Sequence, residues 1–244
     1  VFWTGTAQAI HFISMCTYSL ALFYDGGRKK VNLYLSILFM VPCVLWVFRT
    51  SIMGTTLALL VFIFFRYKLK SLPVIMVCLL LFIVAVFYIP SIKEKMFYDG
   101  KGKSIKELQD GNISADDINS NGRFAMWEWS LNKFYRDKEL IGTGIGNLQE
   151  TFYALRHPFG TIRICHNDYV QILCDNGLIG ICLFGGSFLF LIFHSFKVYQ
   201  NKRYGAAIRI CAITAGSSAA GTLLTMYTDN VINYTMATLS YPCG

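Results

Sequence analysis

The sequence predicts an all-α polytopic membrane protein, with about six transmembrane helices and one large outward-facing loop. Three observations carry that prediction. The 244 residues are 55% apolar and only 15% charged, where an ordinary soluble domain carries roughly 25% charged residues. Long apolar runs recur along the chain. Basic residues collect in alternate connections between those runs.

A membrane helix needs about 20 mostly apolar residues. Segments 5–24, 31–48, 51–65, 72–89, 177–196 and 208–227 meet or approach that length. The third is short, and is completed by Trp46–Phe48 or by a small tilt. The chain thus divides into four helices over 1–89, a polar loop over 90–175, and two more helices with an outward tail over 176–244. Gly185-Gly186 and the run from Ala215 to Gly221 offer small-residue faces for close helix packing. The apolar stretches at both ends read as an internal piece of a longer membrane protein, and no signal peptide is visible. No repeat of 20–50 residues and no low-complexity tract interrupts the pattern.

Charge orients these helices. The connections at 25–30, 66–71 and 197–209 hold ten Lys or Arg against one acid, Asp25. The loop at 90–175 holds 11 basic and 12 acidic residues. By the positive-inside rule the basic connections face the cytoplasm and the loop faces outward. The net charge of +8 is therefore a topology signal, and no nucleic-acid partner is expected.

The apolar content excludes a disordered chain and a disulfide scaffold. Cys16, Cys43, Cys78, Cys182 and Cys211 sit inside apolar runs, and the eight cysteines show no CxxC spacing. Cys165 and Cys174 could pair on an oxidising side only if both pointed together from one helix. No Asp, Glu or His cluster has metal-ligand spacing, so neither a metal nor another cofactor is expected.

The loop begins with a lysine-rich lead-in over 90–120, broken by Gly100 and Gly102, to which no chemistry is assigned. Asn112-Ile113-Ser114 matches a glycosylation sequon, a pattern short enough to arise by chance. Asn121 suits a helix N-cap. Phe124, Trp127, Leu131 and Phe134 follow at helical spacing, with Tyr135 beside them. This predicts an amphipathic helix suited to the membrane surface. Gly142-Thr143-Gly144-Ile145-Gly146 comes next. A tight structural turn is the first reading. Shaping a substrate loop is the second, since backbone N–H groups there can cradle phosphate. It is not a P-loop, because no strand precedes it and no Lys-Ser/Thr follows.

After the Pro158/Gly160 turn runs Arg163-Ile164-Cys165-His166-Asn167-Asp168-Tyr169. A helix over 165–174 would put His166, Tyr169, Val170 and Leu173 on one face, with Arg163 and Asn167 near His166. Asp175-Asn176-Gly177 would end it and lead into the fifth span. Arg binds phosphate bidentately and keeps its charge. His titrates near neutrality and can accept a proton from an attacking hydroxyl. On spacing alone, a structural or interfacial role for His166 still ranks first. Asp168, at i+2, would point away from His166. Tyr169 suits a membrane interface better than sugar stacking. His11 and His194 read as packing or helix-end residues, and His157, beside Pro158, as a loop residue.

Taken in order, Arg123 with Trp127, Gly142-Thr143-Gly144-Ile145-Gly146, His166-Asn167-Asp168-Tyr169 and Asp175-Asn176-Gly177-Leu178-Ile179-Gly180 resemble the O-antigen ligase and polymerase superfamily of the WaaL/Wzy type. Order and spacing match over about 121–186, and the topology over about 31–232, including Thr228-Asp229-Asn230. The resemblance implies a multi-spanning, metal-independent, GT-C-like glycosyltransferase of the bacterial inner membrane with a periplasmic or extracellular loop. Such enzymes move a glycan from undecaprenyl diphosphate to an acceptor hydroxyl. The acceptor is another carrier-linked repeat unit in polymerases and lipid A-core in ligases. A chain-length regulator is a further partner it implies.

By motif, the resemblance makes His166 the catalytic residue. It makes Arg123, with Arg163 or Arg156, the diphosphate ligands, and puts Gly142, Gly144, Gly146, Asn167 and Tyr169 around the substrate. Many ligases carry a Ser-Arg pair where Ser51-Ile52 stands here, with Arg49 the nearest base. That departure favours a polymerase of O-antigen, capsular or exopolysaccharide units, with a ligase second. The rival class is a transporter or flippase for a lipid-linked or anionic solute. Transporters place charge at mid-membrane, whereas here it gathers in one outward loop.

Overall fold

A computed structural model describes residues 5–27, 29–45, 49–88 and 123–232. The sequon, the lysine-rich lead-in and the Asn121 cap lie outside them. The described residues are all-helical, with no strand among them. Helices α1 (Gly5–Asp25), α2 (Lys30–Leu45), α3 (Arg49–Tyr67) and α4 (Leu72–Tyr88) come first. Then follow α5 (Arg123–Ser130), α6 (Asn147–Tyr153), α7 (Asp168–Gln200) and α8 (Ala206–Thr228). The described residues of each of the six predicted apolar segments fall on a helix. A tight turn at Lys68–Ser71, with Lys68 at φ 52°, separates α3 from α4.

Three stretches are long and apolar enough to cross a membrane: Thr50–Leu81, Asp168–Gln200 and Ala206–Tyr227. The apolar part of α2, Lys30–Pro42, is shorter. The chain is therefore a helical membrane protein.

It divides into two compact bodies. The first comprises residues 1–72, 167–169 and 180–244, and so contains α1, α2, α3, most of α7, and α8. Ala21, Phe62, Phe65, Tyr199, Ile210 and Ile213 form one buried cluster in it. Ile10, Met226 and Val231 form another. The small-residue run of α8 packs where the sequence predicts close approach. A Cβ on Gly221 would lie 2.6 Å from the carbonyl oxygen of Gly54 and 2.9 Å from the Cβ of Ala58. Hydroxyls add cross-links at this packing, with Thr17 and Ser218 3.0 Å apart and Ser36 donating to the Cys16 carbonyl at 3.1 Å. The other predicted face is not used this way. A Cβ on Gly185 or Gly186 would meet nothing within 4 Å, because that side of α7 faces no described helix.

The second body comprises residues 73–166 and 170–179. Its core gathers Met126, Phe134, Leu148, Phe152, Cys165, Val170 and Cys174. The predicted amphipathic helix forms as α5, then widens into a π turn at Leu131–Tyr135 that keeps Phe134 buried. Cys165 and Cys174 are both buried, and no disulfide joins them. Ser130 packs against both, its carbonyl accepting from the Cys174 thiol at 3.5 Å.

Candidate functional site

The glycine loop is built by a carboxylate. Gly142, Gly144 and Gly146 all take positive φ, at 69°, 109° and 82°, a region open to glycine at little cost. The Asp175 carboxylate accepts from the N–H groups of Gly146 and Leu148, both at 3.0 Å. Those amides open α6, so Asp175 caps that helix from a distant part of the chain. The N–H groups of Thr143 and Gly144 donate to the carbonyls of Cys174 and Asp175, both at 2.9 Å, and that of Gly142 to Lys138 at 2.8 Å. These amides are satisfied within the body and do not form an open phosphate cradle. What the loop contributes is its shape.

The same loop fixes the break in α7. Gly177 stands at φ 63°, ψ −161° inside the continuous run of helix. A helix interrupted there loses the carbonyl partners of the next N–H groups. Glu139 and Leu140 supply replacements, accepting from Leu178 at 2.7 Å and Ile179 at 3.1 Å. A Cβ on Gly177 would strike the backbone of Leu140, and one on Gly142 would strike that of Asp175 and Asn176. The predicted stop at Asp175-Asn176-Gly177 is thus a backbone junction two glycines wide.

The expected helix over 165–174 is corrected at its start. It begins at Asp168, because the Asn167 side chain caps it, accepting from the Tyr169 N–H at 2.9 Å. His166 therefore precedes the helix and does not share a face with Tyr169, Val170 and Leu173. It takes φ 54°, which few non-glycine residues adopt and which costs about 1–2 kcal/mol.

Arg156 and Arg163, both exposed, stand at the neck of one closed loop. His157 closes it. The Phe159 N–H donates to His157 Nδ1 at 3.1 Å, so the proton sits on Nε2 and is donated to the Ile162 carbonyl at 2.7 Å. The imidazole also lies over the Phe152 ring at 4.4 Å. His157 is the loop residue that its sequence context suggests. Arg123 opens α5, and one turn later Trp127 Nε1 donates at 2.9 Å to the Cys165 carbonyl, next to His166. Arg123, Arg156, Arg163, His166 and the three glycines all belong to the second body, whereas Asn167 and Tyr169 belong to the first.

In the first body Asp168 is fully buried. Its carboxylate accepts from Asn230 Nδ2 at 3.2 Å, Val231 N–H at 2.7 Å and Ile232 N–H at 3.2 Å. The Tyr169 hydroxyl donates to the Leu223 carbonyl at 2.6 Å. Together they fasten the start of α7 to the end of α8 and the segment after it. Sequence reasoning took Asp175 only as a helix stop and set Asp168 aside. A partial signal was present, since Asp168 stands just before the apolar run that starts at Val170 and Asp175 just after Ile172-Leu173-Cys174, and an acid that such a run carries into the interior needs hydrogen-bond donors.

Apolar helices long enough to cross a membrane, and a second body of interlocked turns that carries Arg123, Arg156, Arg163 and His166, define a helical membrane protein. A family model described as O-antigen ligase matches residues 34–185, more than half of the chain. The chain belongs to the O-antigen ligase family, and membership points to glycosyltransferase-like activity. No curated protein matches the chain.

Proposed function

We propose that the protein polymerises undecaprenyl-diphosphate-linked glycan repeats at the outer face of the bacterial inner membrane. The observation that carries this reading is His166. It is a left-handed, half-buried histidine held directly before a capped helix, and strain of this kind is stored where side-chain placement matters. The acceptor hydroxyl attacks the anomeric carbon of the donor glycan, and the bond to the carrier diphosphate breaks with inversion. The hydroxyl proton passes to His166, and the diphosphate leaves with the bonding pair. Arg156, Arg163 and Arg123 neutralise the charge that builds on it. The glycine loop shapes the substrate region. The lipid-diphosphate donor is already activated, so positioning and charge neutralisation suffice and no metal is invoked.

Six spans place the loop outside and the basic connections in the cytoplasm. The meeting of Asp25, Arg66 and Arg209 from those three connections supports this. The ligase reading has the description of the matching family in its favour, whereas Ser51-Ile52 favours the polymerase. A His166→Ala variant in the native host separates them, once membrane expression is verified. Short surface glycan with accumulating single carrier-linked repeats is the polymerase result. Long carrier-linked chains that never reach lipid A-core are the ligase result. An unchanged ladder and carrier pool would remove His166 from the chemistry.

A further inference from the structure

The first body carries a second polar centre, far along α7 from Asp168. At the ends of α1, α3 and α7, and near the start of α8, lies a cavity of about 280 Å3. That is near the lower end of small-molecule sites. Asp25, Arg66, Tyr199, Gln200, Lys202 and Arg209 line it. Asp25 is shared: Arg66 approaches its carboxylate at 3.4 Å and Arg209 at 3.9 Å, and the Tyr199 hydroxyl donates to it at 3.1 Å. Among the described residues three cations therefore face one acid, an excess of two positive charges in the wall. Arg66 Nε is buried and has no hydrogen-bond partner among the described residues. The guanidinium of Arg66 also lies 4.1 Å over the ring of Tyr24, which fixes its plane. Gln200 is held by a hydrogen bond from Nε2 to the Phe65 carbonyl.

We propose that this cavity binds a phosphate monoester or diester, as carried by an anionic phospholipid headgroup. Guanidinium and ammonium groups without a full complement of carboxylates recognise phosphate. Basic pockets between membrane helices take anionic headgroups. Tyr24, Tyr67 and Tyr199 ring the same helix ends, as tyrosines do at headgroup depth. The site is separate from the transfer chemistry and does not depend on it.

The test uses the full chain in nanodiscs, with phosphatidylglycerol in phosphatidylcholine against phosphatidylcholine alone, read by lipid retention in native mass spectrometry and by thermal midpoint. Phosphatidylglycerol is retained and raises the midpoint. Lys202→Gln with Arg209→Gln weakens retention about 25-fold, at about five-fold per charge removed. Inorganic phosphate that competes at millimolar concentration would assign the site to a free phosphate, and failure to compete assigns it to the lipid. Lys202 is exposed, so Lys202→Gln alone keeps the fold and is expected to cost about five-fold. Equal retention of the two lipids, or retention unchanged in Lys202→Gln, overturns the proposal.

Discussion

At the residue scale, His166 and Asp175 show how a side chain and its backbone can be tested separately. Glycine relieves the left-handed strain at 166 while removing the imidazole. We expect His166→Gly to be as stable as the parent, or up to about 1 kcal/mol more so. Its glycan transfer is expected to fall by about 10²-fold or more. Melting in detergent beside a surface-polysaccharide gel checks both arms, and a large loss of stability would contradict the strain argument. Asp175→Ala strips the acceptor from the N–H groups of Gly146 and Leu148. The expected loss is about 2 kcal/mol, as for charged capping bonds, with Asp175→Asn intermediate because one acceptor oxygen survives. The sequence displays these residues, but not their bonds. Asp175 is 29 positions from Gly146, a separation that no local pattern reports.

At the element scale, the break in α7 depends on glycines that differ in what surrounds them. Gly142, Gly144 and Gly177 all have positive φ. A Cβ at 144 meets nothing within 4 Å, whereas one at 142 or 177 runs into backbone. Gly144→Ala should therefore cost only about 1 kcal/mol of conformational strain. Gly177→Ala should cost more than about 2 kcal/mol, since the clash adds to the strain. A denaturant or thermal series on the two variants decides this, and equal losses would mean that the junction with Leu140 is not rigid. The other end of the element is the Asp168 clamp. Asp168→Asn replaces one acceptor oxygen with a donor that faces the Val231 and Ile232 amides or Asn230, and is expected to cost about 2–3 kcal/mol. The stop at Asp175-Asn176-Gly177 was legible because its residue types have intrinsic turn preferences. The start was misplaced because Asn167, read as the third helical residue, is the cap instead.

At the scale of the molecule, the bilayer and the small-residue contacts decide how the helices gather. Gly221→Leu would drive a side chain into the Gly54 carbonyl and the Ala58 methyl. Overpacking of this kind costs about 1–3 kcal/mol, and the measurement is recovery of folded protein from detergent extracts. Topology is testable with single cysteines at two exposed positions, Ile145 at 90% exposure and Lys202. With six spans, an impermeant maleimide should label residue 145 in intact inner-membrane spheroplasts and residue 202 only after permeabilisation. Labelling of both from the outside would break the assignment of sides.

Composition, apolar run length and the placement of Lys and Arg determined that this is a helical membrane protein. They also located the apolar helices among the described residues, since transfer from water to lipid is a local property of each segment, but not α6, whose seven residues carry no such signal. The His-Asn and Gly-rich blocks pointed to the family for the same reason: they are contiguous. Tertiary structure alone decided where the polar groups go. It turned Asp175 into the cap of α6, Asp168 into the clamp on 230–232, and His157 into the closure of the loop that bears Arg156 and Arg163. It left Gly185-Gly186 without a neighbour among the described residues and brought Asp25, Arg66 and Arg209 around one cavity. Burial requires every donor and acceptor to find a partner, and those partners are chosen by the three-dimensional approach of segments far apart in the chain.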